Sequence, residues 1–197
     1  MAVRSSLAGL AACATHAVSL HGPPLVTSQP THPACLEDAR LLGQVHERRY
    51  KASGPGGQRR NKVETAVRLV HEPTGVGAEA NERRSLEQNR IMALSRLRLR
   101  LALDVRTAVD LDSYRPSELW VARTGGAQLA VNPRHRDVPA LLAEALDVLA
   151  ALDDAVPEAA ERLGVGSSRF LRVLKLEPAS LAALNARRST AGLKPYR

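Results

Sequence analysis

Aromatic residues are nearly missing from this chain: they make up 3% of its 197 residues, with one Trp, one Phe and three Tyr. A base-stacking platform sets several aromatics on one sheet face, so that class is excluded. Cysteine is as scarce. Cys13 and Cys35 are the two present, too few for a disulfide framework in a chain this long. Cys13-x-x-His16 and His32-x-x-Cys35 have the residue types of a Cys2His2 metal site. Pro23, Pro24, Pro30 and Pro33 leave little between the two halves to fold around, so no metal is assigned. No apolar run reaches 18 residues, which leaves no candidate for a membrane-spanning helix.

Acids are missing from the first 36 residues, where Arg4 is the single base. Leu10-Ala11-Ala12-Cys13 looks like a lipoprotein cleavage box, but the apolar centre Leu7–Ala12 is too short for a secretory signal, and a transit peptide would be richer in Arg. Residues 1–35 are therefore expected to be a disordered tail, or residues added by a start codon placed too early. Bases are missing from residues 137–161, which hold seven acids. On either side the balance reverses. Residues 37–103 carry 14 Lys+Arg against 8 Asp+Glu, and residues 162–197 carry eight bases against Glu177. Two basic blocks flank an acidic one, a distribution that attracts polyanions unless the arginines merely solvate helical faces.

Leu36–Gln44 reads as a short helix and Val45–Ser53 as a strand that stops at Gly54-Pro55-Gly56-Gly57. Thr65–His71 and Val76–Asn81 are rich in β-formers and flank Pro73-Thr74-Gly75, a hairpin signal. Ser85-x-x-Gln88 is a capping box that opens a helix running to about Leu103. Ile91, Leu94, Leu97 and Leu101 mark its apolar face, and Arg90, Arg96, Arg98 and Arg100 are expected in solvent or against a polyanion. Leu119–Arg123 and Gln128–Asn132 around Thr124-Gly125-Gly126-Ala127 predict a second small hairpin. Beyond Asp137, an amphipathic helix bearing Leu141, Leu142, Ala145, Leu146 and Leu149 precedes three helical pieces, Pro157–Leu163, Ser167–Lys175 and Pro178–Ala191.

The expected fold is α+β. A small mixed sheet or hairpin packed by a long helix occupies residues 36–103, and a connector with a hairpin occupies 104–136. A helix-turn-helix-like module over 137–191 and a basic tail over 192–197 complete it. In the module Gly164 sits where a tight turn needs it, and Arg169, Arg172 and Lys175 suit nucleic-acid phosphates.

Ser53-Gly54-Pro55-Gly56-Gly57-Gln58 is the segment richest in chemistry. Its glycines permit backbone angles closed to other residues and let an amide approach a ligand. A phosphate-binding P-loop needs Lys and Ser/Thr after its last glycine, where this chain has Gln58-Arg59. The spacing of a dinucleotide fingerprint is also missing. Arg59, Arg60 and Lys62 downstream, with Arg48, Arg49 and Lys51 upstream, suit a phosphate-rich partner.

Together with Asn61, Pro73-Thr74-Gly75, Glu82-Arg83-Arg84-Ser85 and Asn89, this loop resembles the catalytic domain of class I peptide chain release factors and their codon-independent rescue relatives. The likeness covers residues 36–103, and Leu86 departs from it, standing where many release factors have Gln. The resemblance implies a ribosome-dependent peptidyl-tRNA hydrolase, cytoplasmic and without a cofactor. Its partners would be the peptidyl transferase centre of the large subunit, peptidyl-tRNA and ribosomal RNA, with no membrane involved.

Gly56, Gly57 and Gln58 would then be catalytic. The glycines hold the loop so that the Gln58 N–H stabilises the tetrahedral intermediate or the leaving ribose hydroxyl, and the Gln58 side chain orients water. Arg59, Arg60, Lys62, Arg83, Arg84, Arg169 and Arg172 would contact RNA, and Asn61 would support the loop. Codon-reading members are far longer, so rescue of stalled ribosomes is the expected mode, with Arg187, Arg188, Lys194 and Arg197 as a short version of the basic tail of rescue relatives. The alternative is a regulator without enzymatic activity that binds RNA or DNA through the helix-turn-helix-like module.

Overall fold

The structure, a computed structural model, describes residues 31–51, 63–126, 129 and 131–197. Within them a sheet comes first and most of the helices follow, an α+β arrangement. Val45–Tyr50 (β1), Ala66–His71 (β2) and Gly77–Ala80 (β3) pair as an antiparallel meander in the order β1-β2-β3. The sheet is antiparallel throughout and not mixed, because the short β2–β3 link cannot make the crossover that parallel strands require. At that link the Gly75 N–H donates to His71 O at 2.8 Å with φ at +71°, a conformation that glycine adopts without strain.

Leu86–Asp104 (α2) follows Asp38–Leu42 (α1) in chain order and covers one face of the sheet, packing on β2 and β3. Its start is set by Ser85, whose Oγ accepts from the Gln88 N–H at 3.4 Å. The stripe buried along it is Asn89, Ala93, Leu97 and Leu101, spaced four apart. Ile91, expected on the apolar face, is 61% exposed. The difference arises because α2 is covered twice, by the sheet and by Val138–Ala151 (α4), so small Ala93 serves where the sheet comes close.

Glu118–Thr124 (α3), Val156–Arg162 (α5), Ser167–Leu174 (α6) and Pro178–Thr190 (α7) complete the helices. The hub among them is α4, with Leu141, Leu142, Ala145, Val148 and Leu149 fully buried between α2 on one side and α5 and α6 on the other. Sheet and helices therefore share one continuous core.

Three expectations give way here. Leu119–Arg123 is helix, not strand: the Ser117 Oγ accepts from the Trp120 N–H at 3.0 Å and caps α3, and Thr124-Gly125 is the end of that helix, not a hairpin turn. Gln128, on the other expected arm, lies outside the described residues, as do residues 1–30. The end of the expected N-terminal tail is built into the fold: Pro33–Cys35 forms a 3-10 turn against α2 and α4, and His32 is buried with its Nε2 3.2 Å from Val105 O. The C-terminal residues also fold back. After Gly192, Asn185 on α7 donates to Tyr196 O at 2.9 Å and accepts from its N–H at 2.8 Å, while Arg188 stacks on the Tyr196 ring at 4.0 Å.

Candidate functional site

Gly56, Gly57, Gln58, Arg59, Arg60, Asn61 and Lys62 lie outside the described residues, so the site is read from its frame. The last Cα pair of β1 and β2 is Tyr50 with Ala66, so residues 51–65 join adjacent ends of two antiparallel neighbours. Lys51 and Val63, which flank the undescribed stretch, lie just beyond that last pair.

Asn89 supports the return limb. It is fully buried at the head of α2, and its amide uses both its functions. Nδ2 donates to Thr65 O at 2.7 Å and to Arg83 O at 2.9 Å, and Oδ1 accepts from the Arg83 N–H at 2.9 Å. One side chain thus ties the entry to β2 and the bend before α2 to the same helix. Sequence reasoning placed Asn89 in the motif without a role; a buried amide four residues after a helix cap was the signal available.

At that bend Arg83 and Arg84 are exposed, and among the described residues neither guanidinium has a hydrogen bond or ion pair. The arginines of α2 differ in having partners: Arg96 and Arg100 are exposed, as expected, yet all four are also engaged within the fold. Arg96 donates to Glu79 O at 2.7 Å and pairs with Glu82 at 2.7 Å, and Arg100 donates to Gly77 O at 2.6 Å, so both stitch α2 to β3. Arg98 holds Ala34 O at 3.0 Å and Asp38 at 2.6 Å, and Arg90 meets Glu47 at 2.8 Å. The Arg96 bond also holds the Glu82 carboxyl below its ordinary range.

Two histidines are accounted for as structure. His71 places Nε2 3.1 Å from Gln44 Oε1 and Nδ1 2.8 Å from Thr74 Oγ1, a set that a neutral ring satisfies, and burial lowers its pKa. His32 is also lowered, first by burial. On the far side of α2, α4 holds the connector with its acids. Glu144 accepts from the Tyr114 hydroxyl at 2.7 Å, the Ser117 N–H at 2.7 Å and the Ser117 hydroxyl at 2.5 Å. Asp147 accepts from the Thr107 N–H at 3.1 Å, and burial pushes its carboxyl up to about 6.

In the C-terminal module Gly164 turns the chain after α5 at φ +67°, and the Val165 N–H closes back on Ala160 O at 2.9 Å. Trp120, fully buried, donates its Nε1–H to Leu163 O at 2.9 Å and pins α3 to that turn. Arg169 donates to Thr124 O at 2.7 Å, holding the C-terminal end of α3. Arg172 on α6 and Lys175 at its C-cap are exposed, and the other side of α6 buries Phe170, Val173 and Leu174. Of the residues expected to bind RNA, Arg83, Arg84 and Arg172 offer free charge, and Arg169 is engaged within the fold.

Comparison with known proteins adds a likeness to this geometry. Residues 43–118 match the model of the RF-1 domain. Peptide chain release factor 1 of Streptococcus thermophilus, strain ATCC BAA-491 / LMD-9, is 55% identical over 53 residues, which are 27% of this chain and 15% of that protein. Peptide chain release factor 1 of Streptococcus pyogenes serotype M5, strain Manfredo, is 53% identical over 53 residues, with the same shares. The matched stretch thus spans about a seventh of these relatives' length.

Proposed function

We propose that this chain, whose residues 43–118 are a class I release-factor catalytic domain, hydrolyses the ester of peptidyl-tRNA on the ribosome without reading a codon. The observation that carries the reading is Gly56-Gly57-Gln58 set between two paired strands whose return limb is fastened at Thr65 by a buried amide. In the reaction water adds to the ester carbonyl, the bond to the tRNA ribose oxygen breaks, and that oxygen leaves with a proton while the peptide leaves as a carboxylic acid. A neutral backbone N–H at Gln58 stabilises the developing oxyanion without titrating, and the Gln58 amide places the water. Gly56 and Gly57 let that N–H face the substrate. Arg59, Arg60, Lys62, Arg83, Arg84 and Arg172 hold RNA phosphates, while Arg169 supports the module that presents Arg172.

Codon independence is supported by the make-up of residues 104–197. Trp120 and Phe170 are buried, Tyr114 is bonded to Glu144, and Tyr196 lies under Arg188. No aromatic there is offered to a base, whereas Arg172 and Lys175 are offered to phosphate. Among the described residues no helix is long and apolar enough to cross a membrane, and we place the activity in the cytoplasm, on the large subunit.

The test is peptide release from ribosomes stalled on truncated mRNA, comparing wild type with Gln58→Ala. Release that falls about 10²-fold or more in the variant, as loss of a transition-state contact predicts, with no dependence on a stop codon, supports the whole reading. Release only when a stop codon occupies the A site removes codon independence and keeps the chemistry. No release from stalled ribosomes or from isolated large subunits would leave the second reading, a regulator that binds nucleic acid through the exposed Arg172 and Lys175 of α6.

A further inference from the structure

Among the described residues, the long helix α2 packs on one face of the sheet. Val67 and Leu69 of β2 point to α2, and alternation sends Arg68 the other way, where it is exposed. Register then fixes what accompanies it. Arg48 of β1 is the Cα partner of Arg68, and Glu79 of β3 is its partner on the other side, so the three form a row across the open face. His46 lies two residues from Arg48 on the same face and is exposed, and Lys51 is exposed where β1 ends.

Two like charges directly opposite across antiparallel strands destabilise a sheet. Here one acid offsets them in part, leaving the row with a net positive charge. Glu79 is the acid in the row, and its carboxylate accepts from the Tyr50 hydroxyl at 3.2 Å. Among the described residues neither Arg48 nor Arg68 has a hydrogen bond or ion pair. The remaining acid of the sheet, Glu47, is taken by Arg49 at 3.0 Å and Arg90 at 2.8 Å. The contrast with α2 is sharp, since Arg90, Arg96, Arg98 and Arg100 all find partners in the fold.

We propose that the open face of the sheet docks an RNA backbone, with Arg48 and Arg68 straddling a phosphate and Lys51 extending the contact toward the loop. The proposal rests on the reading of the protein as ribosome-bound, and names a contact surface for it. Charge complementarity selects the occupant. A run of phosphates supplies closely spaced anions along β1 and leads toward residues 52–62, where the ester must be brought.

The experiment uses the full chain and the double variant Arg48→Gln/Arg68→Gln. Binding to isolated large ribosomal subunits is measured across a salt series, alongside urea unfolding. Each lost phosphate contact should lower the slope of log affinity against log salt by about 1, and affinity should drop roughly tenfold or more at low salt. The unfolding midpoint should hold, because the Arg48–Arg68 repulsion and the Arg68–Glu79 attraction are removed together. Arg96→Gln is the control, with loss of stability and an unchanged salt slope.

An unchanged affinity and slope overturn the proposal, and so does an affinity loss that follows a lower midpoint. A wild type that does not bind the subunits overturns it as well. An affinity loss on subunits stripped of rRNA-binding competition by excess single-stranded RNA, with no slope change, points to an acidic protein surface and also overturns it. A wild type that releases no peptide, while the double variant still shows the expected loss of affinity and salt slope, sinks the hydrolase reading and leaves the docking surface standing.

Discussion

Replacing Asn89 by Ala removes three hydrogen bonds from one buried point. A typical hydrogen bond contributes about 0.5–1.5 kcal/mol net, and a buried group left without a partner costs about 1–3 kcal/mol. Arg83 is exposed and Thr65 half-buried, so water reaches part of what is left, which places the loss at about 2–4 kcal/mol in urea unfolding. The functional effect should be separate in kind. Thr65 sits three residues beyond Lys62, and loosening it lets the reacting loop wander. Misplacement of about 1 Å costs on the order of 10²-fold, so single-turnover release at saturating protein should fall about 10- to 100-fold while half-saturation moves little. Asn89→Asp sharpens the test. It keeps an acceptor for the Arg83 N–H but turns oxygen toward Thr65 O and Arg83 O, where two donors stood. At neutral pH it should be at least as damaging as Ala, and it should recover in part as acidification protonates the carboxyl and restores a donor. An Asn89→Ala protein that loses stability but keeps its saturating rate within about twofold refutes the positioning role.

Two further outcomes follow from the other side of α2. Asp147 has a carboxyl raised from 3.8 to about 6 by burial, so the folded state holds its proton more tightly than the unfolded one, and stability from this group is lost as pH rises from about 4 to 6. Asp147→Asn should therefore be more stable than wild type at pH 7, by up to about 3 kcal/mol, with the difference vanishing below pH 4; a variant less stable at pH 7 in urea titration contradicts this. Arg169→Met removes the donor that holds Thr124 O, and should cost about 1.5–3 kcal/mol, the range for hydrogen bonds to charged groups. It should leave the salt slope of RNA binding unchanged, whereas Arg172→Gln, on the exposed side of the same helix, should lower it by about 1 with stability intact.

What could be read beforehand was what is local. Pro73-Thr74-Gly75 announced the turn that joins β2 and β3, Ser85-x-x-Gln88 the start of α2, and Gly164 the break between α5 and α6, because each is decided within a few residues by backbone angles or a cap. Misreadings came where distant partners decide. Leu-Trp-Val before Thr-Gly-Gly resembles a strand leading to a hairpin turn, and it is helix because Ser117 caps it and Trp120 plugs a pocket closed by Leu163, 43 residues away. His32 looked like part of a tail because its partner is the carbonyl of Val105, 73 residues on. The arginines of α2 were read on the solvent side, where Arg96 and Arg100 are exposed, but period and charge cannot reveal that β3 and the 3-10 turn also present carbonyls to them. At the site, Asn89 was visible in the sequence; its double grip on Thr65 and Arg83 was not.

Trp120 has a further consequence. Its indole N–H fastens α3 to the α5–α6 turn, Glu144 and Asp147 clasp the connector from α4, and α4 in turn rests on the helix that carries Asn89. Strand ends, connector and C-terminal helices are thereby linked, among the described residues, through one packed core. Under the proposed function, seating the loop would also fix where Arg172 meets RNA, so a partner would be tested at two places at once.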